Sequence, residues 1–316
     1  MRVFVLGKPR EVTHWTEDCL AGFQAGGHET ALGVTRDARI GAGLERLLMA
    51  GWTGAIPVRR ILAAIRAFRP DLILAVRAFA TPLPILEQVA AMPGRPPLLG
   101  WVGDGFSNAD RPVADLFDAV VYTDTGLVSQ HAALGFKPPA SYLPHAARPG
   151  GAGKDGPRRE RMVFVANPTA HRRALVGGLT QPMVLYGPAW TACPGIDHEI
   201  HARRVEAEEL ADIYRGHLAV LNVHHEDNVL DGLNQRHFEP CLAGTPVVTD
   251  DQADLSLCFE PGREMLVYRD LVELNDQYAR VLRDPAWALA IGAAGQRRVL
   301  AEHQYGHRLA ALAKLI

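Results

Sequence analysis

The stretch from Asn222 to Thr249 concentrates the groups best suited to binding an anionic ligand. Its order predicts a strand, a polar loop, a helix and a second strand. Unpaired N–H groups at the start of a helix, together with the helix dipole, favour negative charge. We therefore expect a pyrophosphate to bind at the helix start, where the contributing backbone amides are those of Gly232, Leu233 and Asn234.

Two charged side chains follow within the helix predicted over Asn234–Ala243. Arg236 lies early in it, where a guanidinium can form a charge-assisted hydrogen bond with a phosphate. Glu239 is three residues further and lies on roughly the same helix face. From there its carboxylate can accept hydrogen bonds from ribose hydroxyls. The alternative is a capped helix that carries an ordinary surface Arg–Glu pair.

Other ligand-binding candidates lie where further strands of the second half end. Arg172 or Arg173, at the start of a helix after one strand, can reach a diphosphate, or can be a solvated helix-start arginine. After the next strand, Tyr186 supplies an aromatic ring and Gly187 allows the close approach of a nucleotide base. The alternative there is a plain turn with a packed tryptophan.

Isolated polar residues in other predicted loops are further candidates for contact with a substrate. Asp104 stands between two glycines after a buried strand and is placed to act as general base on a substrate hydroxyl, or to orient it. A plain Asp-Gly turn is the alternative. His14 and His145 follow other predicted strands, and Glu264 lies in a loop expected to face the ligand.

Three histidines near the polar loop do not form a convincing metal site. His224, His225 and His237, with Asp227, lack the i, i+4 or His-x-His spacing typical of a ligand set. We therefore expect no bound metal and no cofactor beyond the ligand itself.

The elements that position these residues alternate between short β-rich runs and helical patterns. Such alternation predicts parallel sheets covered by helices on both faces. The glycine-rich stretch 150–157 is typical of a linker, which places one α/β domain over 1–150 and a second over 151–300. A last helix over 301–316 completes the chain. Ligands of such domain pairs usually bind in the cleft between them.

Composition excludes several classes of protein. The chain has 316 residues, 48% of them apolar, and a formal net charge of −2, so no basic surface for nucleic acid is expected. Four irregularly spaced cysteines indicate buried thiols in a reducing compartment. The first apolar run is too short for a signal peptide, and no apolar stretch of about 18 residues is present. We expect a cytoplasmic protein.

The run from Phe238 to Val248 resembles the donor-site helix of GT-B glycosyltransferases, which carries two glutamates followed by small residues and Gly-Thr-Pro-Val. Glu239 matches the second glutamate, which in that family binds the nucleotide ribose. The first position falls on Asp231, near the donor sugar in the family, and is one carbon shorter here. Leu233–Glu239 and Phe259–Met265 are also similar to the spore-maturation (CgeB-type) branch.

The resemblance implies two doubly wound, Rossmann-like domains facing across a cleft, with a C-terminal helix that crosses back to the first. It further implies metal-independent transfer of a sugar from a nucleoside diphosphate to an acceptor hydroxyl of a glycan, small molecule or protein. The two-acid pattern favours retention of anomeric configuration, whereas Asp104 as a base favours inversion. The alternatives are a nucleotide-sugar epimerase and a non-catalytic nucleotide-sugar-binding protein.

Overall fold

The computed structural model describes residues 1–9, 14–35, 55–191, 197–226 and 228–316. The chain divides into two compact units. The N-terminal unit comprises Met1–Pro144, Asp227–Leu230 and Tyr305–Ile316, and the C-terminal unit comprises His145–Glu226 and Asp231–Gln304.

The N-terminal unit contains a parallel sheet of six strands among its described residues, in the order β2-β1-β3-β4-β5-β6. Its central strands are almost wholly buried because helices cover both faces. The strands are β1 Arg2–Gly7, β2 Glu29–Val34, β3 Leu72–Val76, β4 Leu98–Val102, β5 Ala119–Tyr122 and β6 Ala140–Tyr142. The helices are α1 Trp15–Ala25, α2 Ala55–Phe68, α3 Leu83–Ala90, α4 Arg111–Ala114 and α5 Thr125–Leu134.

The C-terminal unit contains a second six-stranded parallel sheet in its described part, in the order β12-β11-β10-β7-β8-β9. Its strands are β7 Arg159–Val165, β8 Val184–Tyr186, β9 Glu199–His201, β10 His217–Asn222, β11 Val247–Asp250 and β12 Leu266–Tyr268. Its helices are α6 Ala170–Gly177, α7 Ala207–Arg215, α8 Glu239–Leu242, α9 Leu255–Cys258, α10 Leu271–Arg283 and α11 Pro285–Glu302.

The last helix, α12 Tyr305–Leu312, belongs to the N-terminal unit. The ring of its Tyr305 is fully buried and packs edge-on against Trp101 at 6.0 Å between centroids. A Cβ on Gly22 would lie 2.3 Å from the Cβ of Tyr305, so α1 and α12 pack closely because position 22 has no side chain.

The predicted class, two parallel α/β units, is confirmed. Strands β2, β9 and β12 were not predicted, and each lies at an edge of its sheet. No helix among the described residues is long and apolar enough to cross a membrane.

Candidate functional site

The strand order of the C-terminal unit creates a crevice between β7 and β10. From β7 the chain proceeds outward through β8 and β9, and then returns to β10 on the other side of β7 and continues to β12. The loops after β7 and β10 therefore diverge. In open α/β sheets, ligands bind outside the carboxyl ends of the strands at this switch point.

Arg172 connects the two diverging loops. Its side chain is buried, and its Nη1 and Nη2 donate to the backbone oxygens of Asn167 and Val223 at 2.9 and 2.8 Å. Burial, with a smaller effect from the neighbouring charge of Arg236, lowers the pKa of Arg172 to about 10. One N–H of each terminal nitrogen is thus used to hold the two loops, and the guanidinium adds positive charge to the crevice.

Arg236 is fixed by Asn222, which ends β10 and is fully buried. The Asn222 Oδ1 accepts hydrogen bonds from Arg236 Nε at 3.1 Å and from Asn234 Nδ2 at 3.2 Å. Burial is the main cause that lowers the pKa of Arg236. Within the described ranges, its Nη1 and Nη2 have no hydrogen-bond partner in the protein, so both can donate to an anion.

The prediction of one continuous helix over Asn234–Ala243 is wrong. The chain instead forms a single 3₁₀ turn, Gln235–His237, followed by the short α8. Pro240 has no N–H to donate to the carbonyl of Arg236, which prevents a continuous helix at this point. Asn234 begins the turn, and its Oδ1 accepts the Arg236 N–H at 2.9 Å.

The acidic candidates flank this turn. Glu239 is the first residue of α8 and is close enough for its charge to affect the pKa of Arg236. Asp231 is partly buried, and its backbone oxygen accepts the N–H of Asp254 at 2.9 Å. Leu233 is buried in the core with Phe238, so its side chain serves packing. Gly232 is also buried.

Tyr186 and Gly187 lie at the carboxyl end of β8. The Tyr186 ring stacks on His201 with centroids 4.4 Å apart and planes inclined by 9°. The indole N–H of Trp190 donates to the backbone oxygen of Ala166 at 2.7 Å, which ties the loops after β7 and β8 together. Gly187 therefore lies where the loops after β7 and β8 meet.

Gly187→Ala is expected to destabilise the contact between the loops after β7 and β8. A Cβ at position 187 would lie 2.3 Å from the Ala166 oxygen and 2.9 Å from the Trp190 ring. Crowding of this kind costs about 1–3 kcal/mol. We expect the free energy of unfolding, measured in urea, to fall by about 2 kcal/mol. The matched control is Gly156→Ala, because nothing lies within 4 Å of a Cβ there. If the two variants were equally stable, position 187 would not be crowded by Ala166 and Trp190.

The remaining candidate residues lie apart from the crevice between β7 and β10 or are engaged in other contacts. Glu264 forms an ion pair with Arg298 of α11 at 3.0 Å and accepts the Glu260 N–H at 2.8 Å, so its carboxylate holds a loop to a helix. His145 is buried in the C-terminal unit. His14 precedes α1 and has a positive φ of 50°.

Asp104 lies in the N-terminal unit, beyond the carboxyl end of β4. Its Oδ2 forms an ion pair with Arg77 Nη2 at 2.8 Å, and Arg77 directly follows β3. Its Oδ1 is 3.4 Å from the side-chain amide of Asn228. The carboxylate is 41% exposed, so an oxygen is accessible to a hydroxyl.

A buried polar network beneath Arg236 was not predicted. His237 is fully buried and lies within hydrogen-bond distance of Asn222 Nδ2 at 3.1 Å and of Thr249 Oγ1 at 3.0 Å. The Thr249 hydroxyl donates to Asp250 Oδ1 at 3.2 Å. A signal existed: Asn222, Thr249 and Asp250 are polar residues that end apolar strands, where carboxyl-edge sites form.

In the described part of the chain, no group of three or more His, Cys, Asp and Glu residues is placed to hold a metal ion. Asp227, one of the four residues weighed as a metal site, lies outside the described residues.

Comparison with known proteins gives a family match for part of the chain and a fold for the whole of it. Residues 161–314 match a sequence-family model described as "Glycosyl transferase-like". No curated protein sequence matches the chain.

Solved structures resemble the whole chain at low sequence identity. Sucrose-phosphate synthase from Thermosynechococcus elongatus is 13% identical with a TM-score of 0.68, and the match covers 100% of this chain and 98% of that one. HepE from Anabaena, solved with UDP and glucose, is 13% identical with a TM-score of 0.69, covering 99% and 98%. The spinosyn forosaminyltransferase SpnP is 13% identical with a TM-score of 0.55, covering 100% and 99%. Residues 161–314 are therefore similar to a glycosyl transferase-like family, and the whole chain has the fold of these solved structures.

Proposed function

We propose that the protein transfers a sugar from a nucleoside-diphosphate sugar to an acceptor hydroxyl, and that the C-terminal unit binds the donor. The observation that carries this proposal is the pair Arg172 and Arg236 at the crevice between β7 and β10. Two guanidinium groups gather there, and Asn222 orients one of them with two donor nitrogens unpaired within the described residues.

A diphosphate is the ligand chemistry that fits this pair. Bringing two cations together in a buried position is unfavourable unless an anion compensates them. The Nη1 and Nη2 of a guanidinium match two phosphate oxygens in a bidentate arrangement. HepE has been solved with UDP-glucose, which supports UDP as the first nucleotide to test.

Arginine charge also supports the metal-independent form of the proposal. When the bond between the sugar and the diphosphate breaks, negative charge grows on the leaving phosphate, and fixed cations stabilise it. Arg236 would donate hydrogen bonds to that charge, and Arg172 would act through its field. Glu239 would bind the ribose hydroxyls, as the family resemblance implies.

Acceptor binding is assigned to the N-terminal unit, with Asp104 as its candidate residue. The ion pair with Arg77 leaves Asp104 partly exposed and able to accept a hydrogen bond from a hydroxyl. Asp231 is assigned to the donor sugar and His145 to a supporting role. The choice between retention and inversion is left to the stereochemistry of the product.

Thermal shift with UDP, GDP and ADP, each with and without EDTA, tests donor binding. We expect one nucleotide to raise the melting temperature, and we expect EDTA to leave that shift unchanged. Stabilisation by mass action is about 2.7 kcal/mol when the ligand is present at a hundredfold its Kd. If none of the three nucleotides stabilises the protein, the proposal fails. If EDTA abolishes the shift, the metal-independent form fails.

Slow hydrolysis of the nucleotide sugar, followed by nucleotide release, separates an enzyme from a binding protein. Hydrolysis that is lost in Arg236→Ala and in Glu239→Ala supports transfer chemistry in this crevice. Binding without any hydrolysis favours the non-catalytic alternative. Conversion of the donor sugar to its epimer without nucleotide release favours the epimerase.

A further inference from the structure

His224 and Asp250 form a pair that the proposed function has not used. Asp250 is the last residue of β11, and His224 follows β10 by two residues. The Nδ1 of His224 contacts Asp250 Oδ2, and the His224 backbone N–H donates to the same oxygen at 3.1 Å. Gln252 Nε2 lies 3.4 Å from that oxygen. The imidazole is therefore oriented by a carboxylate that the protein holds from several sides.

The pair lies beside the arginines of the crevice. The backbone oxygen of Val223, adjacent to His224, accepts a hydrogen bond from Arg172. Asp250 also interacts electrostatically with both Arg172 and Arg236. The side chain of Asp250 is only 12% exposed. Arg172, Arg236 and a protonated His224 thus lie near the single carboxylate of Asp250. Their summed positive charge exceeds its negative charge, which favours an anionic ligand.

The other groups that face His224 are two further histidines and one acid. The His171 ring on α6 lies 6.3 Å away, Glu226 lies on the following loop, and His237 lies on the 3₁₀ turn. The hydrogen bond with Asp250 is the main cause that raises the pKa of His224. Arg172 opposes this rise, and Glu226 contributes to it.

The second ring nitrogen of His224 is available to a ligand. With Nδ1 engaged by Asp250, the remaining donor of a protonated ring is Nε2. No described residue forms a hydrogen bond with Nε2, and the side chain is 24% exposed. A carboxylate that fixes one nitrogen of an imidazole directs the other towards a partner, as in many sites where histidine contacts a substrate.

We propose that His224, oriented by Asp250, donates a hydrogen bond from Nε2 to the diphosphate of the bound nucleotide. This rests on the proposed donor site and adds a third cationic group, one whose charge depends on pH. Histidine is neutral above its pKa and cannot then offer charge to the phosphate. Nucleotide affinity should consequently fall as the pH rises through the pKa of His224.

Calorimetric titration of UDP at pH 6.0 and pH 8.5 tests this, on the wild type and on His224→Gln. UDP itself titrates near pH 6, but this affects both proteins equally. A charge-assisted hydrogen bond is worth about tenfold in affinity. We expect the wild type to lose about tenfold more affinity than the variant across this range. The matched control His225→Gln should behave as the wild type.

A second readout is the titration of the His224 ring by NMR, with its signal assigned by its absence from His224→Gln. By linkage, UDP should raise the pKa of His224 as protonation raises the affinity for UDP. Identical pH profiles for wild type and His224→Gln, with UDP still bound, overturn this inference and leave the proposed function standing. No binding of UDP, GDP or ADP to the wild type overturns both.

Discussion

Replacing Arg236 with alanine lowers the affinity of the protein for its nucleotide diphosphate by about a hundredfold. The substitution removes the two guanidinium nitrogens that have no partner in the described protein, and with them two charge-assisted hydrogen bonds. Such bonds contribute about 1.5–3 kcal/mol each, and about 1.4 kcal/mol is tenfold in affinity. Calorimetric titration with UDP measures the change.

Two variants make this result specific to Arg236. Arg236→Lys keeps the charge but not the bidentate geometry, so its affinity should be intermediate. Arg297→Ala removes an exposed arginine of α11 and should bind as the wild type. If Arg236→Ala binds UDP within threefold of the wild type, measured in the same titration, Arg236 is not a diphosphate ligand.

Acidification should cost the protein about 3 kcal/mol of folding free energy through His237 alone. Burial lowers the pKa of His237 from 6.5 to about 4, and the residue is fully buried. Below pH 6.5 the unfolded chain takes up a proton at this residue, whereas the folded chain stays neutral. Stability from this group is therefore complete above pH 6.5 and is lost as the pH falls towards 4.

Urea unfolding at several pH values between 7.5 and 4, on the wild type and on His237→Gln, isolates this contribution. Burial also lowers the pKa of His198 and of His217, so these residues add a loss of the same sign in both proteins. Glutamine can replace the hydrogen bonds of His237 but does not titrate in this range. We expect a flatter dependence of stability on pH for the variant. If the free energy of unfolding depends on pH in the same way in both proteins, His237 does not contribute to that dependence.

The sequence predicted the fold because most strands of both sheets are strongly apolar runs. It missed β2 because Glu29–Val34 includes Ala31 and Gly33, which lower the apolar signal of this edge strand. Gly33 is there for packing, since a Cβ would lie 2.7 Å from the ring of Phe4. β9 and β12 have three residues each, too few to display a periodicity.

The sequence predicts which residues form the candidate site, but not the contacts that hold them in place. Arg236 was identified from its place in the loop-helix pattern, whereas its fixation by Asn222 depends on contacts between residues 14 positions apart. Arg172 was a candidate phosphate ligand, and the structure shows that its terminal nitrogens also donate to backbone carbonyls, one of them 51 residues away. Such long-range hydrogen bonds leave no periodic signal in a single sequence.

Glu264 is a candidate whose long-range contacts indicate a structural role. Its loop position suggested a donor-site carboxylate, but its oxygens are used by Arg298 and by the Glu260 N–H. The partner is 34 residues away on α11, and the sequence pattern does not reveal a contact at this separation. A charged loop residue can therefore resemble a site residue when its role is to hold the loop.

A crystal structure of the protein with UDP would show directly whether the nucleotide binds in this crevice. We expect a diphosphate at the carboxyl ends of β7 and β10, with Arg236 Nη1 and Nη2 within about 3 Å of its oxygens. We expect the ribose beside Glu239. A diphosphate bound outside this crevice, or one that contacts neither Arg236 nor His224, would contradict the proposed donor site.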